Sequence, residues 1–175
     1  MDIPIHRYPW QSQDPVTYIE AYRHVALFAR PRPANLRLVW GPAGDRGSLS
    51  FWPGADVVDF ASFPIYGLPD KDIADYRRQE AFATILARKL GRVRFVAAPV
   101  LVAELGVKGP PDYRSRWLSD AARALRESRR VAGVLYFNQH DRPGAWGGSS
   151  PPDWSLTPAL FDRLVHELFP AGARP

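Results

Sequence analysis

The feature that most constrains the fold is the alternation of apolar, strand-forming runs with stretches of helical spacing. Four runs have the character of strands: NLRLVW (35–40), DVVDFASFPIYG (56–67), RFVAAPVLVAELG (94–106) and VAGVLYFN (131–138). Helical spacing appears in YIEAYRHVALFAR (18–30), IADYRRQEAFATILARKLG (73–91), YRSRWLSDAARALRES (113–128) and TPALFDRLVHEL (157–168). Because neighbouring parallel strands need a crossover connection, this order predicts an α/β fold with a parallel sheet covered on both faces.

Composition argues against several classes of protein. The 23 Lys and Arg exceed the 18 Asp and Glu by five, but the positive charges are scattered, so we expect a solvated surface and no nucleic-acid partner. The chain has no cysteine, which rules out disulfides and thiolate metal sites within it. No apolar run reaches membrane-spanning length, the start lacks a signal-peptide pattern, and no phosphate-binding glycine motif follows a strand. We therefore expect no membrane partner, and the nucleotide-binding class is disfavoured.

Polar and aromatic residues end all four predicted strands. The first strand ends at Trp40, the second carries Tyr66, and the third carries Glu104. The fourth is followed by the run Asn138, Gln139, His140 and Asp141. The carboxyl ends of parallel strands meet at one rim of a sheet, where ligands bind in α/β proteins. The sequence therefore predicts a binding site at this rim, although loop residues that are polar by chance would give the same pattern.

Several stretches, in order, resemble the carboxyl-terminal half of glycoside hydrolase family 26, the β-mannanase-like branch of the retaining glycosidases of clan A. RYPW (7–10), YIEAYRHV, NLRLVW, FWPGADVVDF, IYG, VLVAELG and VAGVLYFN carry the resemblance. It implies parallel β/α units corresponding to strands five to eight of a TIM (β/α)8 barrel. We expect one domain over residues 1–175, a partial catalytic domain, because a whole barrel needs roughly 250 residues.

The resemblance also implies catalytic roles for two residues. Glu104 lies at the position of the family's nucleophile, and Tyr66 at that of a tyrosine that donates a hydrogen bond to it. Retaining hydrolysis needs a nucleophilic carboxylate and, about 5–5.5 Å away, a second carboxyl group that first gives and then removes a proton. The alternative is that Glu104 has no catalytic role and is a surface carboxylate at a strand end.

The second carboxylate is missing at its expected place. In the family the acid/base glutamate shortly precedes the segment that RYPW resembles, and it would fall just before Met1. We therefore expect an N-terminally truncated chain with little or no hydrolytic activity alone. Asp2 and Asp141 are the nearest substitutes, but neither occupies the position from which a proton reaches the glycosidic oxygen. A non-catalytic carbohydrate-binding or assembly protein derived from a glycosidase barrel is the alternative function.

Sugar recognition is assigned to aromatic and polar residues near the rim. Indole rings stack on pyranose faces while polar groups bind hydroxyls. The expected substrate-binding residues are Trp10, Trp40, Trp52, Asn138, His140 and Trp146. Pro64 and Gly41-Pro42-Ala43 depart from the mannan-acting pattern, so mannan and other β-glycans both remain open. No metal or other cofactor is expected. Family members are usually exported, and this sequence leaves the localisation open. The edge strands of a half barrel expose apolar surface, so we expect the chain either to aggregate or to form a homodimer through them.

Overall fold

A four-stranded parallel sheet organises the computed structural model, which describes residues 14–144 and 150–170. The strand order β1-β2-β3-β4 follows the sequence, as expected when each strand is laid beside the one before it. In the β1–β2 pair, Val39 faces Phe60 and Trp40 faces Ala61. The prediction of parallel strands alternating with helices is confirmed.

The elements differ in length. The strands are β1 (Val39–Trp40), β2 (Phe60–Gly67), β3 (Val100–Val107) and β4 (Val131–Tyr136). The helices are α1 (Pro15–Ala29), α2 (Pro69–Tyr76), α3 (Phe82–Arg92), α4 (Pro111–Glu127) and α5 (Pro158–Leu168), with short 3-10 turns at Ser48–Phe51 and Ala55–Val57. Among the described residues, none of these helices combines the length and apolar character of a membrane-spanning helix.

The chain divides into two compact units. The first unit is formed by the residues up to Pro64 together with Arg88–Leu101. The second unit is formed by Ile65–Ala87 together with the residues from Val102 onward. Strands β2 and β3 each begin in the first unit and end in the second. The carboxyl ends of both strands, where we expect the site, therefore belong to the second unit.

In the first unit, α1 is anchored at its beginning by Asp14. The Asp14 carboxylate accepts hydrogen bonds from the backbone N–H groups of Val16 and Thr17, both at 3.1 Å, and Pro15 occupies the first turn. These hydrogen bonds, with that from the Thr17 hydroxyl as the largest effect, lower the pKa of Asp14. Tyr18 of α1 meets Phe51 edge to face, with ring centres 5.5 Å apart. The cap and the apolar contact thus fix the same end of the helix.

In the second unit, α3 and α4 pack through aromatic rings. Phe82 and Trp117 meet edge to face at 5.3 Å and 89°, a favoured geometry for aromatic pairs. The buried Trp117 indole N–H donates to the Glu80 carbonyl at 3.2 Å, which satisfies its polar atom. The helix α4 also buries Leu118, Ala121 and Leu125, so its apolar stripe faces the core.

The helical stretch predicted at 73–91 is broken in the structure. Helix α2 ends where Arg77 adopts a left-handed conformation with φ 60°, and α3 begins only at Phe82. The carboxylate of Asp72, 7% exposed, accepts the backbone N–H of Glu80 at 3.1 Å and so supports the turn. The third strand also begins later than predicted, at Val100, directly after Pro99.

The carboxylate of Asp120 is expected to hold the beginning of α3. Asp120 Oδ2 accepts the backbone N–H of Ala83 at 3.0 Å. Replacing Asp120→Ala leaves this N–H without its acceptor, so we expect the free energy of unfolding to fall by about 1–2 kcal/mol in chemical denaturation. The control is Asp162→Ala, an exposed position on α5, which should change stability by less than about 0.5 kcal/mol. Equal losses in the two variants would contradict the assigned role of Asp120.

Candidate active site

Two predicted residues meet at the carboxyl ends of β2 and β3. The Tyr66 hydroxyl donates a hydrogen bond to Glu104 Oε2 at 2.7 Å. Glu104 is exposed, although the next three residues of β3 are buried. The pair thus presents a carboxylate to solvent while one of its oxygens is held by a half-buried phenol. The sequence predicted this contact through the family resemblance, and the chemical roles of the two residues remain predictions.

The backbone of Gly106 makes room for the ring of Tyr66. A Cβ atom at residue 106 would lie 2.7 Å from both Cδ1 and Cε1 of Tyr66 and 3.1 Å from Cε3 of Trp154. Carbon atoms do not approach so closely without displacement, so any larger residue would push the ring away. The predicted strand ends at Gly106, but β3 continues to Val107. A glycine within a strand is itself a signal of close approach by another group, and this signal identifies the position.

Trp154 closes the other side of the Tyr66 ring. The two ring centres are 4.6 Å apart at 44°, and Phe137 meets Tyr66 edge to face at 6.5 Å. Trp154 is 0% exposed, and its indole N–H donates to Asp141 Oδ2 at 2.9 Å. A buried indole whose N–H is hydrogen-bonded has little freedom to move, so the Tyr66 ring is confined between Gly106 and Trp154.

The loop after β4 folds back on itself to position Trp154. His140 and Asp153 form an isolated antiparallel bridge, and their side chains approach to 3.1 Å between Nε2 and Oδ2. Hydrogen bonds from Ser155, followed by the influence of His140, lower the pKa of Asp153. The Tyr136 hydroxyl donates to the Trp154 carbonyl at 2.8 Å and accepts the Val107 N–H at 3.4 Å. Burial raises the pKa of this Tyr136 hydroxyl.

The two predicted polar residues of this loop lie in the same unit as Glu104. Asn138 and His140 are both exposed. The side-chain oxygen of Asn138 accepts the Leu156 N–H at 2.8 Å, so this oxygen holds the returning loop. His140 contacts Asp153 through Nε2. Both residues therefore have a structural use, and sugar contact by them stays a prediction.

The predicted tryptophans divide into three groups. In the first unit, Trp40 is 0% exposed and packs edge to face against Trp52 at 4.9 Å and Phe95 at 6.2 Å. A wholly buried indole has no face to offer a sugar, so the structure does not support the predicted sugar contact of Trp40. Trp52 is half-buried and remains a prediction. Trp10 and Trp146 lie outside the described residues.

The described part of the chain also bears on metal binding. Within residues 14–144 and 150–170, no group of three or more His, Asp or Glu residues is arranged to hold a metal ion.

No protein-family model and no curated protein matches the chain. Solved structures do match in fold. An endo-beta-1,4-mannanase double mutant from Cellulomonas fimi has a TM-score of 0.60 at 19% identity, over 90% of this chain and 36% of the mannanase. A GH128 subgroup V exo-beta-1,3-glucanase from Cryptococcus neoformans has a TM-score of 0.59 at 15% identity, over 90% of this chain and 65% of the glucanase. A glucosidase from Croceicoccus marinus has a TM-score of 0.54 at 20% identity, over 89% of this chain and 36% of that chain.

These matches establish a glycoside hydrolase-like fold. At such identities the likeness concerns the fold alone, and the chain corresponds to part of a TIM barrel. It spans only about a third of the length of the mannanase and the glucosidase, and just under two thirds of the glucanase.

The close approach at Gly106 predicts an energetic coupling with Tyr66. We expect Gly106→Ala to lower the free energy of unfolding by about 1–3 kcal/mol, because the added methyl group collides with the Tyr66 ring. In a Tyr66→Ala background only the 3.1 Å approach to Trp154 remains, so the same substitution should cost at least about 1 kcal/mol less. A double-mutant cycle by urea denaturation measures this difference. Additive losses would show that the ring is not what excludes a side chain at residue 106.

Proposed function

We propose that the chain carries the nucleophile side of a retaining glycoside hydrolase site, related to family 26, that acts on β-linked polysaccharide such as mannan or another β-glycan. The observation that carries the proposal is the 2.7 Å hydrogen bond from Tyr66 to Glu104 Oε2. Support comes from the position of this pair at the strand ends, the site of chemistry in β/α barrels, and from the glycoside hydrolase-like fold.

In this mechanism Glu104 attacks the anomeric carbon of the bound sugar. Its carboxylate forms a C–O bond while the bond to the leaving oxygen breaks, which gives a covalent glycosyl-enzyme that water later hydrolyses. Tyr66 holds Oε2, so we assign the attack to Oε1. Gly106 and Trp154 act through Tyr66, because they fix the ring whose hydroxyl orients the carboxylate. They are therefore positioning residues.

We propose that none of the described residues supplies the proton donor beside Glu104. Of the two carboxylates in the returning loop, Asp141 accepts the indole N–H of Trp154 and Asp153 contacts His140. Both are engaged in holding the loop. Loss of a general acid lowers the rate by about 10²–10⁴-fold. The proposal therefore includes little or no hydrolysis of natural polysaccharide by this chain alone.

Substrate binding and partners complete the proposal. Asn138 and His140 follow β4 in the unit that holds Glu104, and we propose that they contact sugar hydroxyls. Trp10, Trp52 and Trp146 are proposed stacking residues. The proposal also includes self-association of the chain through exposed sheet edges.

A substrate that needs no acid tests the nucleophile directly. Dinitrophenyl 2-deoxy-2-fluoro-β-glycosides carry a leaving group that departs as a stable phenolate, and the fluorine slows hydrolysis of the adduct. We expect the mannosyl or glucosyl reagent to add one deoxyfluorohexosyl group to the peptide that contains Glu104, detected by mass spectrometry. Glu104→Gln should abolish labelling because the amide is a poor nucleophile. Glu127→Gln, at an exposed carboxylate of α4, should label as the unmodified chain does.

The same experiment separates enzyme from binding protein. Labelling at another carboxylate, or no labelling by either reagent, would contradict the nucleophile assignment. If calorimetry then detects β-glycan binding without an adduct, the chain is a non-catalytic carbohydrate-binding protein. This alternative is favoured by the contacts that engage Asp141 and Asp153 within the loop.

A further inference from the structure

Tyr136 is the last residue of β4, and its hydroxyl joins two segments that are far apart in sequence. The hydroxyl donates to the Trp154 carbonyl at 2.8 Å and accepts the Val107 N–H at 3.4 Å. Tyr136 lines a cavity between β4 and α5, whereas the next residue, Phe137, contacts the Tyr66 ring. Because successive residues along a strand point to opposite faces, Tyr136 supports the site from the face opposite Phe137.

The two partners of the Tyr136 hydroxyl belong to the two surfaces that confine the Tyr66 ring. The N–H of Val107 is part of the peptide group that links this residue to Gly106, against whose backbone the ring lies. The carbonyl of Trp154 belongs to the residue whose indole covers the ring, with ring centres 4.6 Å apart. One hydroxyl therefore connects β3 to the returning loop beside the ring.

Two other hydrogen bonds of Trp154 show what is particular to this connection. Its backbone N–H donates to the Gln139 carbonyl at 3.2 Å, and its indole N–H donates to Asp141 at 2.9 Å. Both partners follow β4, so these two hydrogen bonds tie Trp154 to its own loop. The hydrogen bond from Tyr136 differs because the same hydroxyl also reaches β3. It thus sets the distance between Trp154 and the backbone of Gly106.

We propose that the Tyr136 hydroxyl positions the nucleophile by fixing the separation of Gly106 and Trp154, between which the Tyr66 ring is held. The inference rests on the proposed function and deepens it, since Tyr136 acts through Tyr66 on Glu104. A wider space would let the ring move and would weaken its hold on Glu104 Oε2. The attacking oxygen, Oε1, would then be directed at the sugar less often. Tyr136 is therefore a positioning residue.

Arg114 of α4 holds the loop beside the same contact. Its guanidinium donates to the carbonyl of Ser155, the residue after Trp154, so two successive carbonyls are held from two different elements. Burial raises the pKa of the Tyr136 hydroxyl, although the nearby charge of Arg114 acts in the opposite direction. The hydroxyl therefore stays protonated at neutral pH, as donation to the Trp154 carbonyl requires.

Tyr136→Phe removes the hydroxyl and keeps the ring. We expect the rate of Glu104 labelling by the deoxyfluoro reagent to fall about three- to tenfold, which corresponds to the loss of one hydrogen bond. In a Tyr66→Phe background no phenolic hydroxyl remains to hold Glu104, so the same substitution should change the rate by less than about twofold. Such a difference would not arise if Tyr136 only stabilised the fold. Circular dichroism melting verifies that each variant is folded.

The matched control is Tyr113→Phe, in the same unit. The Tyr113 hydroxyl is buried and has no hydrogen-bond partner among the described residues, so its removal should leave the labelling rate unchanged.

Motion of the Tyr66 ring provides a measurement that does not depend on glycosidase chemistry. In a chain with ¹³C-labelled tyrosine rings, NMR relaxation measures how often the Tyr66 ring flips. We expect Tyr136→Phe to raise the flip rate at least about threefold and Tyr113→Phe to leave it unchanged.

Three results would overturn the inference: an unchanged labelling rate in Tyr136→Phe, equal slowing in both Tyr66 backgrounds, or an unchanged flip rate. Equal slowing would show that Tyr136 does not act through the Tyr66 hydroxyl. If the unmodified chain is not labelled at Glu104, the proposed function fails, and the flip rate still decides whether Tyr136 holds the ring.

Discussion

The candidate site depends on the packing of one aromatic ring against bare backbone. The ring of Tyr66 occupies the volume that a side chain at residue 106 would fill, and Trp154 covers its other side. Because interiors are close-packed, a ring confined in this way has little freedom to leave. The Tyr66 hydroxyl is therefore held within hydrogen-bonding distance of Glu104, and this hydrogen bond fixes the position of the exposed carboxylate. A preorganised polar group of this kind needs little rearrangement when charge develops beside it.

The same organisation extends to the described residues of the loop after β4, 137–144 and 150–157. Asn138, Tyr136 and Asp141 each hold one point of the returning segment. All three contacts converge within two residues of Trp154. The polar residues after β4 suggest ligand binding in the sequence. In the structure, some of them instead position Trp154 against the Tyr66 ring.

The sequence predicts the sheet well because parallel β/α folds leave a strong pattern, with buried apolar strands separated by amphipathic helices. It predicts the Tyr66–Glu104 pair because both residues lie near the carboxyl ends of adjacent strands and match a family pattern. The sequence pattern does not reveal the break between α2 and α3 at Arg77 or the burial of Trp40. The first depends on the carboxylate of Asp72 reaching the backbone of Glu80, and the second on Trp52 and Phe95 covering the indole. Spacing along the chain does not encode such tertiary contacts.

The buried hydroxyl of Tyr136 has a consequence in alkaline solution. Burial raises its pKa, and burial likewise raises the pKa of Tyr18 and takes that of Tyr22 to about 12. The folded chain thus keeps these phenols protonated at a pH where the unfolded chain already ionises them. Their contribution to stability is complete below the ordinary tyrosine pKa of about 10 and is lost as pH rises through the folded values. Alkali therefore shifts the balance toward states in which these phenols are exposed to solvent.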